Sequence, residues 1–172
     1  MGEVTRRSVL KSAVTGAAAL SAIPVMAQDA KQERWGDIPD FPEKTPPLET
    51  KLVKKFVIAG HGNLTYVKEM LEAYPTLLNA CHDWGTGDFE TALEGAGHMG
   101  NTEIAEFLVS KGARMNIFCA AMLGHLAFVK SAIDAHPGLK DSKGPHGLTL
   151  LHHAKAGGER SKAVLEYVEK LG

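Results

Sequence analysis

Two cysteines in 172 residues are too few for a disulfide framework, and neither Cys81 nor Cys119 stands in a CxxC or other zinc-ligand spacing. Aromatic residues make up only 6% of the chain, so a core has to be built mainly from Ala, Leu, Val, Ile and Met. Small side chains of that kind suit close packing of helix on helix. No apolar run reaches the roughly 18 residues that a membrane helix needs. There is no excess of positive charge either. The chain carries a net charge of −1, and residues 1–27 hold three bases and one acid, which leaves −3 for the rest. With no basic run beyond residue 27 to neutralise a phosphate backbone, nucleic acid is excluded as an expected partner. Also missing are Gly-x-Ser-x-Gly, His-Glu-x-x-His and a phosphate-binding glycine loop, so no enzymatic activity and no cofactor is expected.

What is present begins at the N-terminus. Thr5-Arg6-Arg7-Ser8-Val9-Leu10-Lys11 precedes a mildly apolar stretch from Ser12 to Pro24, and Val25-Met26-Ala27 forms a small-x-small site. Charged, apolar and small-residue regions in that order define a secretory signal, with cleavage expected after Ala27. The segment resembles the twin-arginine translocation motif, with Val9 where Phe is commonest. That resemblance makes Arg6 and Arg7 an address read by the translocase, and implies a bacterial protein that crosses the membrane folded, to a periplasmic or secreted location. Residues 28–52 are polar and rich in proline (Pro39, Pro42, Pro46, Pro47), which predicts an extended, irregular linker or N-terminal cap.

From residue 53 onward four segments align on a glycine. They are Ile58-Ala59-Gly60-His61-Gly62-Asn63, Ala96-Gly97-His98-Met99-Gly100-Asn101, Ala120-Ala121-Met122-Leu123-Gly124-His125, and Ala154-Lys155-Ala156-Gly157-Gly158. Gly62, Gly100, Gly124 and Gly158 are separated by 38, 24 and 34 residues. Gly147-Leu148-Thr149-Leu150-Leu151-His152-His153-Ala154, Thr91-Ala92-Leu93 and Leu108-Val109-Ser110-Lys111-Gly112-Ala113 fall in register with these glycines. Together the motifs resemble the ankyrin-repeat family, whose period is about 33 residues, and the likeness runs from about Lys54 to Leu171. It implies an all-α fold, a solenoid of about four irregular helix pairs with short finger loops.

Each motif position has a physical reason. Thr caps a helix start, the Ala pair allows neighbouring helices to approach, and Gly ends the first helix in a left-handed turn. Spacing predicts one long finger around Trp84–Asp88, a direct passage from Gly112-Ala113 into the next helix, and a second finger near Lys143–Gly147. Tyr74-Pro75 and His136-Pro137 act as stops, and Glu159-Arg160 are extra residues between the last two helices.

Eight histidines raise the question of metal. The resemblance gives His152 and His125 scaffold roles. His61 and His98 end successive first helices and, at a helix separation of about 10 Å, share one rim of the concave face. With Met99 and Met122 they form a surface able to meet a partner or a soft metal. The favoured reading is a solvated rim, and no metal ligand is assigned. Asp83, Asp88 and Glu90 read as a solvated finger. Gly95-x-Gly97-x-x-Gly100 matches a dinucleotide fingerprint but lacks the preceding strand and is absorbed by the repeat. Two repeat steps between Cys81 and Cys119 exclude a disulfide, and Cys119 is expected in the core.

The expected function is an exported scaffold for an unidentified protein partner, bound through Trp84, His98, Met99 and Met122. The alternative is a metal- or cofactor-handling accessory protein of the periplasm. Partner identity and oligomeric state do not follow from the sequence.

Overall fold

Short apolar stripes between strong caps give short helices, and this chain repeats that arrangement four times. The computed structural model describes residues 46–172. Arg6, Arg7, the cleavage position after Ala27 and residues 28–45 lie outside the described residues. The helices are α1 (Thr50–Gly60), α2 (Leu64–Ala73), α3 (Ala92–Met99), α4 (Thr102–Ser110), α5 (Ile117–Met122), α6 (Leu126–Ala135), α7 (Leu150–Ala156) and α8 (Lys162–Glu169). Between α2 and α3 lies a two-stranded antiparallel hairpin, β1 (Cys81–Asp83) and β2 (Phe89–Thr91), with Cys81 opposite Thr91. The described residues are therefore mostly helical. None of these helices is long and apolar enough to cross a membrane.

The local signals act where they stand. The Asn63 side chain accepts a hydrogen bond from the Tyr66 N–H, Asn116 from Cys119 and Thr149 from His152, which starts α2, α5 and α7. Thr91 and Glu94 form a reciprocal capping box at the start of α3. Tyr74-Pro75 and His136-Pro137 stop α2 and α6, and each opens a 3-10 turn. The predicted linker ends earlier than residue 52. Thr50–Leu52 are already helical, Leu48 and Leu52 pack against the core, and the helical unit begins at Pro47. Proline excludes helix only up to Pro47, and the apolar positions after it supply the first stripe.

The four first helices lie side by side in chain order, α1 on α3, α3 on α5 and α5 on α7, and each second helix packs on its own first helix. Close approach depends on missing side chains. A Cβ on Gly60 would lie 2.7 Å from the Ala92 Cα, and one on Gly97 would lie 3.0 Å from the Cys119 Sγ. Gly100, at φ 72°, ends α3 in the left-handed conformation. The apparent dinucleotide fingerprint is thus helix packing plus a helix stop.

Phe56, Val57, Val67, Leu93, Ile104 and Leu108 fill the first half of the core, and Ala120, Ala121, Val129, Leu150, Ala154 and Val164 fill the second. Burying each large aliphatic or aromatic side chain contributes about 1.5–3 kcal/mol. Cys119 is buried, while Cys81 is an exposed free thiol on β1.

The first finger is the turn Trp84–Asp88, closed by the Trp84 N–H donating to the Asp88 carbonyl at 2.9 Å. The second is smaller: a single bridge joins Lys143 to Thr149 around a short turn, Pro145–Gly147. Each finger leads directly into the start of a first helix, the first through Thr91 into α3 and the second through Thr149 into α7.

Candidate metal centre

Helix ends and strand alternation, not one motif, assemble this site. Along β2 the pleat sends Phe89 and Thr91 one way and Glu90 the other, so Glu90 is fully buried while Phe89 is exposed. Glu90 is therefore not part of a solvated finger. His61 caps the C-terminus of α1, and His98 lies in the last turn of α3. The loop before α7 contributes His146, whose backbone is left-handed at φ 58°.

The four side chains converge. His98 Nε2 lies 2.8 Å from Glu90 Oε1 and 3.1 Å from His61 Nε2. The same carboxylate oxygen is 3.5 Å from His61 Nε2 and 3.4 Å from His146 Nε2. One ligand atom from each residue falls within 4.8 Å of all the others. The imidazoles pack edge-on, His61 against His98 at 4.8 Å and His98 against His146 at 5.3 Å between centroids. His61 can stand there because Gly95 has no side chain: a Cβ on Gly95 would be 2.8 Å from the imidazole ring.

An outer set of bonds aims the donors. His61 Nδ1 lies 2.9 Å from the Val57 carbonyl, which can only accept. The proton therefore sits on Nδ1 and the Nε2 lone pair points at the cluster. His146 repeats the arrangement, with Nδ1 2.7 Å from Asp88 Oδ2 and its backbone N–H donating to Asp88 Oδ1 at 2.8 Å. The Trp84 indole donates to Glu90 Oε2 at 2.8 Å and leaves Oε1 for the cluster. Histidine oriented by a carboxylate or a carbonyl on its other nitrogen is the usual outer shell of a metal ligand.

Electrostatics agree with the geometry. Burial pushes the Glu90 carboxyl up, but hydrogen bonds from His98 and Trp84 and the charges of His61 and His98 outweigh it, holding the carboxyl below its ordinary value. Asp88 is held below its ordinary value by its two bonds from His146. Three imidazole nitrogens and a carboxylate oxygen cannot share so small a volume without positive charge between them. Protons supply that charge, or a metal ion does.

For ligand bonds of 2.0–2.1 Å, a tetrahedral ion separates neighbouring ligands by about 3.3 Å. Four of the separations, 2.8, 3.1, 3.4 and 3.5 Å, bracket that value. Three nitrogens and one oxygen with no thiolate suit zinc, nickel, cobalt, copper(II) or iron(II), in contrast to the all-oxygen sets preferred by calcium and magnesium. The side chains of His61 and His146 are 26% and 34% exposed, which gives an ion a path from solvent. No family model matches this chain, and no curated protein matches it.

Of the four residues expected to meet a partner, the structure separates the roles. His98 is in the cluster. Trp84 is half-buried and orients Glu90. Met99 is exposed, but Met122 is fully buried in the core and offers no contact surface. His152 bonds the His98 carbonyl through Nε2 at 3.0 Å and so ties α7 to α3, the scaffold role its motif implied. His125 is exposed at the start of α6.

Sequence reasoning placed His61 and His98 on one rim and missed Glu90 and His146. Period-2 alternation through Phe89-Glu90-Thr91 is the signal that could have found Glu90. His146 has none, because it lies 48 residues beyond His98 in a loop.

Gly95→Ala tests the packing beneath His61. The new methyl group displaces the ring while alanine favours the helix. Zinc affinity is expected to fall about ten- to a hundred-fold, with helical circular dichroism unchanged.

Proposed function

We propose that this is an exported, ankyrin-type repeat protein that binds one divalent transition-metal ion through His61, Glu90, His98 and His146. The carrying observation is the convergence of three Nε2 atoms on the one buried carboxylate oxygen. The outer bonds from Val57, Asp88 and Trp84 support it, because they orient the donors before any ion arrives. The twin-arginine-like leader fits this reading, since that route carries folded proteins that have already taken up their cofactor. Binding or handling of the ion, not enzymatic turnover, is the function that these residues support.

The four helix pairs, with their stacked first helices and two fingers on one side, support the ankyrin-type assignment. A protein partner is the second reading, favoured by the exposed side chains of Phe89, next to the first finger, and of Met99 at the end of α3. Of the partner-contact set expected from sequence, Met99 and the exposed edge of Trp84 remain available to it.

The test is calorimetric titration of chelator-treated protein with zinc, and with cobalt(II) for its visible spectrum. One equivalent of zinc, and cobalt bands typical of a four-coordinate nitrogen–oxygen site, are expected. Binding no tighter than that of scattered surface histidines, with an octahedral cobalt spectrum, would overturn the assignment.

A further inference from the structure

The four ligands come from pieces of chain that are distant in sequence. His61 belongs to the first helix pair, Glu90 and His98 to the hairpin and first helix of the second, and His146 to the finger preceding the fourth. The first helices of the second and fourth pairs already touch, with His152 of α7 bonded to the His98 carbonyl of α3. Here α5 and α6 separate the second pair from the fourth along the chain.

The second finger is anchored unevenly. Pro145 is buried, and Gly144 sits against the Phe118 ring, where a Cβ would be 3.2 Å away. His146, one residue on, is exposed and left-handed, a conformation that costs a non-glycine residue about 1–3 kcal/mol unless its surroundings enforce it. The side chain of Asp88, at the base of the first finger's turn, provides that enforcement through both of its oxygens. Trp84, also in the first finger, stands 6.0 Å from the His146 ring.

Resting on the metal-binding reading, we infer that the ion is a clasp between the two fingers, and that its arrival and departure regulate how firmly they are held together. A fourth bond, from His146, fixes the second finger to the ion and thereby to β2, α3 and the end of α1. Asp88 holds the same residue from the other side. Removing the ion takes one restraint from His146 and leaves Asp88 as the side chain that ties it to the first finger, so the fingers part more readily. Zinc thereby controls the edge that carries Trp84 and Phe89, a surface a partner would meet.

Hydrogen exchange read by mass spectrometry on the full chain, with zinc or with chelator, tests this. Zinc is expected to slow exchange about ten-fold or more in 84–90 and in 144–149 together. In His146→Ala the ion is retained by three ligands with affinity lower by about ten- to a hundred-fold, and the slowing at 144–149 is lost while that at 84–90 persists. Zinc binding with no change at 144–149 in the natural sequence would overturn the clasp and leave the metal site standing. Absence of zinc binding overturns both.

Discussion

Glu90→Gln is expected to weaken zinc binding by at least about a hundred-fold while leaving the fold intact. Loss of an outer partner to a metal ligand costs about ten- to a hundred-fold, and Glu90 is itself the donor on which the others converge. Its Oε1 lies within 3.5 Å of all three imidazole Nε2 atoms, so it supplies the negative charge that makes a divalent ion favourable in a buried place. Glutamine keeps the shape and removes that charge. Its amide can turn an NH2 group toward the His61 and His146 lone pairs, filling with protons the space an ion would take, and its carbonyl still accepts from the Trp84 indole.

The pH dependence separates this substitution from the natural sequence in a second way. The Glu90 carboxyl is held below its ordinary value in the folded state. Its contribution to stability is thus present above the ordinary carboxylate range and is lost as pH falls through the folded value. Glu90→Gln lacks that acid limb. Glu90→Ala differs again, because it strips the half-buried Trp84 N–H of its acceptor, a loss that costs about 1–3 kcal/mol. Zinc titration of both variants, with urea melts in chelator, checks the whole set. Unchanged affinity in Glu90→Gln would place the ion elsewhere.

How far these features were legible in sequence depends on the range of the interaction behind each. Thr91, Asn116 and Thr149 act on amide groups three residues away, and the Tyr74-Pro75 and His136-Pro137 stops act on the next turn. Their effects are visible in a short window, and the structure puts helix boundaries there. The hairpin turn at Trp84–Asp88 was legible from repeat length.

The burial of Met122 was not, because its side chain packs into the cluster of the preceding helix pairs and the end of its helix is met by residues 36 positions further on. The extra turn Gly158–Ser161 packs over the end of α5, and Arg160 Nε donates to the Leu123 carbonyl at 3.1 Å. The insertion was visible as two surplus residues, but not the helix end it would cover. At Glu90 charge and pleat point opposite ways: an acid beside a glycine-rich turn is usually solvated, whereas alternation in β2 buries this one. The meeting of His61 with His98 was half-legible, since their equivalent positions put them on one rim. That they touch depends on Gly95, whose absent side chain admits the ring.

Lowering the pH from 7 to 5 is expected to remove about 2 kcal/mol of stability through His153 alone. This residue follows His152 in the repeat motif but faces inward and is fully buried, with its ring 5.1 Å from that of Phe118. Its Nδ1–H donates to the Thr149 carbonyl at 2.9 Å, while Nε2 is buried with no hydrogen-bond partner among the described residues. A proton added at Nε2 would be a buried charge with nothing to solvate it. Burial, the largest cause, therefore pushes the pKa down to about 4, with the neighbouring His152 and His98 adding to it and the Thr149 bond opposing.

The sign follows from where the proton binds. In the unfolded chain His153 protonates near its ordinary value of about 6.5, while the folded chain stays neutral until about 4. Between those values the unfolded state holds more protons, so stability falls as pH falls. The whole window amounts to about 3 kcal/mol, a substantial part of the 5–15 kcal/mol typical of a domain. His153→Leu removes both the titration and that nitrogen, and the Thr149 carbonyl keeps its bond from the residue 153 N–H, 3.3 Å long in the natural sequence. Urea melts of the two proteins at pH 7 and pH 5, in chelator so that metal ligands do not contribute through an ion, give the comparison directly. The gap between the variant and the natural sequence should widen by about 2 kcal/mol in the variant's favour at the lower pH. A gap that does not change with pH would mean that His153 is solvated and protonated in the folded state.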